Sequence, residues 1–267
     1  MKACKMEEKT KNIFKMVENL KEILKEDSVQ KQPLFLKIKD SFIYNVVKEA
    51  TVTKDKPFLI GITGESASGK TTFVRHAIRK YPSSLDGGIY TTVNCDDYFY
   101  DTSKELIDAG SYEALFASGF SFDTPNVVNL KLMKEHLIAL KNGQDVQSPA
   151  YDFVTCVSNP EGEKKKSARI ILNEGLYVLN DDLKDIMDIK VYIFTPFDVI
   201  KDRWFKRAVT RGKTGMAAQM QFEDVNATAQ KYIRPNLECC DVVLNGVVTE
   251  DYIEEVINKI FAAIKNI

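Results

Sequence analysis

The sequence predicts an α/β protein of three layers, in which helices cover both faces of a mainly parallel sheet. Three observations lead to this fold class. From residue 57 onward, short apolar segments alternate with longer amphipathic ones. A glycine-rich segment joins the first apolar segment directly to a helix, and the first 56 residues carry a different, helical pattern. Continuous apolar strands separated by helices are typical of a parallel sheet that is buried on both faces.

The N-terminal 56 residues form a predicted helical extension. Apolar side chains recur at helical spacing from Ile13 to Leu24 and again from Phe35 to Val46. A chain of 267 residues with 44% hydrophobic content supports one main domain. We therefore expect a helical extension over residues 1–56 and the main domain over residues 57–267. Packing on the core, a dimer contact and a regulatory role are all open for the extension.

Five apolar segments are predicted to be the strands of the sheet. They are residues 58–63, 89–94, 168–173, 190–194 and 242–244. The charged run 161–166 precedes the third of these segments, and we interpret it as a solvated turn.

Composition argues against several classes of function. The chain has 37 Lys and Arg against 38 Asp and Glu, so bulk charge does not predict binding to nucleic acid or to a membrane surface. Apolar runs such as 58–63 are too short to span a bilayer. The five cysteines are odd in number, without CxxC pairs or histidine partners, which favours a reduced, cytoplasmic setting.

A phosphate-binding loop follows the first predicted strand. The segment matches GxxxxGK[ST], and the residues predicted to bind the nucleotide are Gly64, Glu65, Ser66, Ala67, Ser68, Gly69, Lys70, Thr71 and Thr72. Glycines let successive N–H groups face phosphate oxygens, and the following helix adds its partial positive charge. This combination is typical of the P-loop NTPase fold. We expect it to bind ATP or GTP with Mg²⁺, although the loop alone does not identify a reaction.

Two acidic residues follow the second predicted strand. Asp96 and Asp97 would lie at the carboxyl end of the sheet, where open α/β folds bind ligands. A carboxylate there can accept a proton from a hydroxyl or reach the metal. The alternative is a turn or a helix cap before Ser103.

Further motifs carry a resemblance to a known family. After the P-loop come Cys-Asp-Asp-Tyr-Phe, Phe-Asp-Thr-Pro, Pro-Ala-Tyr-Asp-Phe, Ile-Ile-Leu-Asn-Glu-Gly and Arg-Gly-Lys. In this order they resemble the uridine kinase and phosphoribulokinase-like group of P-loop kinases over residues 57–266, and uridine–cytidine kinases most closely. The resemblance implies that Asp96 is the catalytic base, that Lys70 is catalytic, and that Thr71, Asp96 and Glu174 hold magnesium. It also implies an acceptor site, comprising Asp96, Tyr98, Asp123, Tyr151, Phe153 and Lys213.

The chain departs from this family after Tyr-Asp-Phe. The family usually supplies His and Arg there, near the pyrimidine, whereas residues 154–158 read Val-Thr-Cys-Val-Ser. Residues 96–160 contain no arginine, which favours an uncharged acceptor over a sugar phosphate unless the lid supplies cations. The identity of the acceptor therefore remains open.

A cationic helix is predicted after Pro196. Arg203, Arg207 and Arg211 recur every four residues, and Lys206 and Lys213 lie near the same end. The resemblance implies a lid helix over the triphosphate, with Arg203 and Arg207 on the nucleotide and Arg211 in catalysis. A solvated helix face is the alternative. The stretch 214–233 is longer than the family leads us to expect.

The leading hypothesis is a kinase that transfers the γ-phosphate of ATP or GTP to a hydroxyl of a nucleoside-like acceptor. Alternatives in the same group are kinases of pantothenate, glycerate or ribulose phosphate. A nucleotide-binding switch without transferase activity is the alternative of a different class. We expect a small-molecule acceptor, no nucleic-acid or membrane partner, and allow for a homo-oligomer.

Overall fold

The computed structural model describes residues 57–79 and 88–247, together with residue 251. The predicted helical extension over residues 1–56 lies outside these residues. The boundary at residue 57 and the domain end at residue 267 therefore stay predictions.

Five parallel strands form the central sheet. They are β1 (Phe58–Thr63), β2 (Tyr90–Asn94), β5 (Ile170–Glu174), β6 (Ile189–Phe194) and β7 (Val242–Asn245), in the spatial order β2-β5-β1-β6-β7. All neighbouring pairs run parallel. Every residue of β1 and of β5 is buried, which fits the apolar runs 58–62 and 170–172 within them. The predicted α/β fold class is confirmed, and the five predicted strands are all present: β1 has the predicted bounds, and those of the other four differ by at most two residues.

Helices pack around this sheet and shape its carboxyl edge. The α-helices are α1 (Lys70–Arg79), α2 (Ser103–Ala109), α3 (Tyr112–Ala117), α4 (Leu130–Lys141), α5 (Phe197–Thr210) and α6 (Gly215–Thr228). Short 3₁₀ turns span Cys95–Tyr98, Pro125–Val127, Lys184–Ile186 and Arg234–Glu238, and a π-helical turn spans Ala229–Ile233. No helix within residues 57–79 and 88–247 is both long and apolar enough to cross a membrane.

A separate antiparallel hairpin was not predicted from the sequence. Strand β3 (Val146–Asp152) pairs with β4 (Val157–Lys165), and the register shifts between Ser148 and Ala150. Most of the charged run 161–166 therefore belongs to a strand, and our interpretation of it as a turn was wrong. The β4 side chains from position 159 to position 164 are all exposed, so solvation allows a charged sequence to remain extended without an apolar alternation.

The stretch 214–233 forms a helix that packs on the cationic helix. Phe222 of α6 lies with its ring centroid 5.3 Å from Trp204 and 5.1 Å from Phe205, both on α5. Burial of these rings holds α5 and α6 together, as expected for large aromatic contacts. The stretch 214–233 is therefore an ordered helix followed by a π-helical turn.

Strand register brings three chain segments together at the carboxyl edge. Glu174, the last residue of β5, is opposite Asn94 at the end of β2 and opposite Ile62 near the end of β1. The P-loop follows β1, and the acidic 3₁₀ turn follows β2. Parallel strands whose ends align in this way place the following loops side by side.

Gly175 allows the close approach of two of these segments. Its φ is +152°, and a Cβ at this position would lie 2.1 Å from Cβ of Cys95. We expect Gly175→Ala to lower the free energy of unfolding by about 3 kcal/mol, because it combines backbone strain with overpacking. Urea denaturation followed by circular dichroism measures this change.

Gly143 provides the matched control for that variant. Its φ is +80°, but nothing lies within 4 Å of the position of an added Cβ. Gly143→Ala should therefore lose only about 1 kcal/mol, from backbone strain alone. Equal losses in the two variants would contradict the close packing of Gly175 on Cys95.

Candidate functional site

The P-loop wraps around the amino group of Lys70. Nζ of Lys70 donates hydrogen bonds to the backbone oxygens of Gly64 and Glu65, each at 2.9 Å. Gly64 has a φ of +151°, and a Cβ there would lie 2.5 Å from the backbone oxygen of Ile193 on β6. Burial lowers the pKa of Lys70. Its amino group is thus held by the backbone of a loop that has no room for a side chain at position 64.

Thr71 and Glu174 form the next contact along the edge. Oγ1 of Thr71 donates to Oε1 of Glu174 at 3.0 Å. Burial, followed by the charge of Asp96, raises the pKa of Glu174 to about 7. A hydroxyl and a buried carboxylate therefore lie together, next to a second carboxylate that disfavours the ionised form of the first.

The 3₁₀ turn after β2 separates the two neighbouring aspartates. The backbone N–H of Asp96 donates to Oδ1 of Asn94 at 3.1 Å, which fixes the start of the turn. Asp96 lines a cavity with Lys70 and Thr71. Asp97 does not line this cavity. Burial raises the pKa of Asp97 to about 6, and the charge of Lys165 on β4 opposes that rise. Only the first aspartate of the pair faces the P-loop side.

Arg207 of α5 reaches the P-loop, and Arg203 of the same helix reaches the segment after β7. Nη2 of Arg207 donates to Oγ of Ser66 at 2.6 Å, and Nη1 of Arg203 donates to the backbone oxygen of Gly246 at 2.9 Å. Burial, followed by the charge of Arg211, lowers the pKa of Arg207. Clustered cations at this position would be stabilised by a bound anion.

A cavity at this edge has a volume of about 520 Å³. Its walls come from the P-loop, from α1, from α5, and from the ends of β6 and β7 with the residue that follows β7. The lining residues are Ala67, Gly69, Lys70, Thr71, Thr72, Phe73, Arg75, Ile193, Arg203, Arg207, Arg211, Leu244, Asn245 and Gly246. This volume lies in the range of small-molecule sites. We call it the nucleotide-side cavity.

A second cavity, of about 70 Å³, lies against the first. Both cavities are lined by Lys70, Thr71, Arg207 and Arg211. The other lining residues are Ser66, Asp96, Phe99, Phe122, Asp123, Tyr151, Phe153, Cys156, Glu174, Leu176, Lys213 and Gln221. We call it the acceptor-side cavity. Shared walls mean that ligands in the two cavities would meet at these four residues.

Aromatic rings form one wall of the acceptor-side cavity. The ring of Phe99 stacks on that of Tyr151 at 5.1 Å between centroids, and Phe153 packs edge-on to Tyr151 at 5.1 Å. Cζ of Arg211 lies 4.1 Å from the centroid of Phe153, a cation–π contact. The hydroxyl of Tyr151 is 3.1 Å from Oγ1 of Thr102. This wall can stack on a flat ring.

Lys213 lies in a group of three further rings. Its Nζ is 4.6 Å from the centroid of Tyr112, 4.9 Å from that of Phe122 and 5.8 Å from that of Phe116. Burial lowers the pKa of Lys213 to about 8. Lys213, Arg207 and Arg211 give the cavity three cations from residues 207–213. The site therefore carries positive charge although residues 96–160 contain no arginine.

Asp123 supplies a third carboxylate to the acceptor-side cavity, in addition to Asp96 and Glu174. Nε2 of Gln221 lies 3.5 Å from Oδ2 of Asp123, and the hydroxyl of Tyr177 donates to the backbone oxygen of Asp123. Burial, followed by the charge of Asp224, raises the pKa of Asp123 to about 6. The carboxylate can accept hydrogen bonds from ligand hydroxyls when it is ionised.

Two residues considered from the sequence, Tyr98 and Lys206, line neither cavity. Tyr98 is 1% exposed, and its hydroxyl is 3.0 Å from Nδ1 of His136 inside the core. The 3₁₀ turn directs it inward, so we do not carry Tyr98 into the proposed acceptor site. Lys206 points to solvent and pairs with Asp202 at 2.7 Å. The remaining predicted side chains come together around the two cavities, apart from the inward-facing Ser68 and the carboxylate of Glu65.

The sequence did not identify several residues of the site. Gln221 lies on α6, which was not assigned as a helix. Gly246 packs so closely on the P-loop that a Cβ would lie 2.3 Å from the backbone oxygen of Ser68. Glu65 forms a two-bond ion pair with Arg234, at 2.9 and 3.0 Å. The only sequence signal for Arg234 was its position before Pro235, which does not indicate a partner.

Known proteins resemble this chain in fold and in sequence. A candidate fructose transport system kinase from Silicibacter sp. TM1040 shares the fold, with a TM-score of 0.51 and 19% identity over 76% of this chain and 96% of that one. The uridine kinase of Clostridium novyi (strain NT) is 31% identical over 71% of this chain and 87% of its own length. The yeast uridine kinase from Saccharomyces cerevisiae is 30% identical, but the match covers only 36% of its length.

The Arabidopsis thaliana uridine kinase-like protein 5 is 29% identical over 71% of this chain and 39% of its own length. The chain therefore spans well under half of the plant and yeast relatives but most of the bacterial enzyme. The profile of the Phosphoribulokinase / Uridine kinase family matches residues 59–252, from β1 to beyond β7. The chain belongs to the Phosphoribulokinase / Uridine kinase family, a group of P-loop kinases that transfer phosphate to a hydroxyl.

Proposed function

We propose that this protein transfers the γ-phosphate of ATP, or of GTP, to a hydroxyl of a nucleoside-like acceptor. One observation carries the proposal: the nucleotide-side and acceptor-side cavities share Lys70, Thr71, Arg207 and Arg211. A triphosphate in the first cavity would present its terminal phosphate to a hydroxyl in the second. A nucleotide switch has no need of that second, aromatic cavity.

Asp96 is the proposed proton acceptor, because it lines the acceptor-side cavity beside the shared residues. The acceptor oxygen forms a bond to the γ-phosphorus and gives its proton to the Asp96 carboxylate. The bond from the γ-phosphorus to the β,γ-bridging oxygen breaks, and the nucleoside diphosphate leaves with those electrons. Lys70, Arg207 and Arg211 would stabilise the charge on the transferring group.

Thr71, Glu174 and Asp96 are the residues proposed to hold magnesium. One hydroxyl and two carboxylates form the hard oxygen donor set that this ion prefers. The raised pKa of Glu174 fits this role, since an added cation would favour its ionised form. When bound, Mg²⁺ would neutralise charge on the β- and γ-phosphate oxygens.

The proposed acceptor class rests on the walls of the second cavity. Phe99, Tyr151 and Phe153 offer aromatic faces to a base, and Asp123 offers a carboxylate to sugar hydroxyls. Similarity to enzymes named uridine kinase supports a nucleoside. The cavity of about 70 Å³ is below the usual size of ligand sites, so entry of a nucleoside requires side chains of its lining to move.

A coupled assay of ADP and GDP release tests the proposal. The acceptors to be compared are uridine, cytidine, pantothenate, glycerate and ribulose phosphate, each with ATP or with GTP as the phosphate donor. We expect turnover with an added nucleoside. Turnover with pantothenate, glycerate or ribulose phosphate alone would assign another acceptor of the same group. Tight triphosphate binding without turnover on any acceptor would favour the switch.

The ionisation of Asp123 predicts a pH dependence. With its pKa near 6, Asp123 is ionised above that pH and becomes protonated as the pH falls through it. A protonated carboxyl accepts fewer hydrogen bonds from ligand hydroxyls. We expect kcat/KM for the acceptor, at saturating nucleotide and magnesium, to fall about tenfold per pH unit below pH 6. In Asp123→Asn, kcat/KM for the acceptor should be lower and nearly constant below pH 6. If kcat/KM of this variant fell with pH as in the unmodified protein, Asp123 would not be the group that causes the fall.

A further inference from the structure

The P-loop of this chain carries an acidic side chain that the motif does not require. In the segment Gly-Glu-Ser-Ala-Ser-Gly-Lys-Thr, Glu65 and Lys70 are the only charged residues, and their formal charges cancel. A loop that binds a triphosphate must attract several negative charges. An unpaired carboxylate at position 65 would oppose that binding. The groups around Glu65 therefore affect how strongly the loop binds a triphosphate.

Arg234 neutralises this carboxylate. Nε of Arg234 donates to Oε1 of Glu65 at 3.0 Å, and Nη2 donates to Oε2 at 2.9 Å. The exposed fractions are 17% for the Arg234 side chain and 12% for that of Glu65. A bidentate pair at this depth has fixed geometry and is weakly screened by salt.

A third contact fixes the guanidinium group. Nη2 of Arg234 also donates to Oδ1 of Asn226 on α6 at 2.8 Å. The chain reaches Arg234 through the π-helical turn Ala229–Ile233, which ends α6. Such turns are uncommon and often occur at functional sites. The same helix contacts Asp123 through Gln221, so α6 touches the acceptor side and, through Arg234, the P-loop.

We propose that Arg234 is a positioning residue for the nucleotide: by pairing with Glu65 it orients the P-loop and cancels a charge that would repel the triphosphate. The backbone oxygen of Glu65 also accepts a hydrogen bond from Lys70, so the orientation of this residue bears directly on the P-loop lysine. This inference rests on the proposed function only in that a nucleoside triphosphate binds in the nucleotide-side cavity.

Calorimetric titration with a non-hydrolysable ATP analogue and Mg²⁺ tests the role without an acceptor. Arg234→Met leaves Glu65 charged and unpaired, and we expect the Kd to rise about tenfold. Glu65→Gln leaves a cation, which does not repel phosphate, so its Kd should rise much less. The double variant Glu65→Gln/Arg234→Met should bind more tightly than Arg234→Met alone. A purely structural pair would not produce this order.

The pair of Lys141 and Asp188 provides a matched control. It is also partly buried, with exposed side-chain fractions of 23% and 22%, and belongs to neither cavity. Lys141→Met should lower Tm and leave the Kd of the analogue unchanged. If Arg234→Met does not fold, Arg234→Lys and the double variant Glu65→Gln/Arg234→Met test the proposal instead. The Kd of the analogue for each of these two variants must then lie within about threefold of that for the unmodified protein.

Several outcomes would overturn the positioning role. These are an unchanged Kd in Arg234→Met, a double variant as weak as Arg234→Met, or a larger loss in Glu65→Gln than in Arg234→Met. In steady-state assays the role further requires a raised KM for ATP with a nearly unchanged kcat. Absence of analogue binding by the unmodified protein would instead contradict the proposed function, so the two failures are distinguishable.

Discussion

Replacing Asp96 by asparagine is expected to lower kcat by about 10²–10⁴ while the protein still binds nucleotide. The Asp96 carboxylate lines the acceptor-side cavity next to Lys70, Thr71 and Glu174. Its amide replacement has nearly the same shape but cannot accept the proton of an attacking hydroxyl. Initial rates at saturating acceptor, ATP and magnesium measure kcat, and calorimetric titration with a non-hydrolysable ATP analogue measures binding.

Asp97→Asn is the matched control for this variant. Asp97 belongs to the same 3₁₀ turn, but it lies outside the cavity and is influenced by Lys165 of the hairpin. We expect Asp97→Asn to keep most of the turnover. If Asp96→Asn retained full turnover, or if both variants lost it equally, Asp96 would not be the proton acceptor.

A second effect of Asp96→Asn can be read independently of turnover. The Asp96 charge contributes to the raised pKa of Glu174. Its removal lowers the pKa of Glu174, because a like charge no longer disfavours the ionised carboxylate. The expected fall in the pKa of Glu174 distinguishes loss of the neighbouring Asp96 charge from a general disturbance of the carboxyl edge of the sheet.

Local sequence was sufficient to predict the elements whose burial is uniform. Strands β1 and β5 lie inside the sheet, so every residue must be compatible with burial, and the apolar run follows directly. The P-loop was equally predictable, because its glycines are required by the backbone and not by distant partners. Asp96 was singled out by its position after β2, and the resemblance added Glu174 and Asp123. Glu174 ends β5, whereas Asp123 lines the same cavity from the loop after α3.

Elements that depend on distant contacts were not predictable in this way. Strand β4 is exposed along most of its length, so its sequence shows charges in place of alternating apolar residues. Helix α6 is stabilised by Phe222 packing on α5, and that partner helix is not visible in the local pattern. Arg234 and Glu65 are 169 residues apart in the chain, and only the folded protein reveals their pairing.

Tyr98 illustrates a different limit of motif-based prediction. Its neighbour Asp96 in the same motif faces the cavity, whereas the 3₁₀ turn Cys95–Tyr98 directs the tyrosine into the core. A motif gives the order of residues but not the direction of each side chain. In a tight turn, positions two residues apart can face opposite environments.

Replacing Lys70 by methionine is expected to weaken binding of the triphosphate and to lower kcat by about 10²–10³. Nζ of Lys70 is held by two backbone oxygens of the P-loop, the residue is 8% exposed, and Lys70 is the only cationic residue in the loop segment 64–72. Methionine keeps the length of the side chain and removes the charge. Calorimetric titration with nucleotides and initial-rate assays measure the two effects.

The ratio of ATP to ADP affinity makes this prediction specific. A lysine that reaches the β- and γ-phosphates should contribute more to ATP than to ADP binding, so Lys70→Met should weaken ATP more strongly. Lys206→Met is the control, since Lys206 is exposed on α5, pairs with Asp202 and lines neither cavity. A parallel loss for both nucleotides would place Lys70 away from the γ-phosphate. Unchanged ATP binding would remove the basis for phosphoryl transfer at this edge of the sheet.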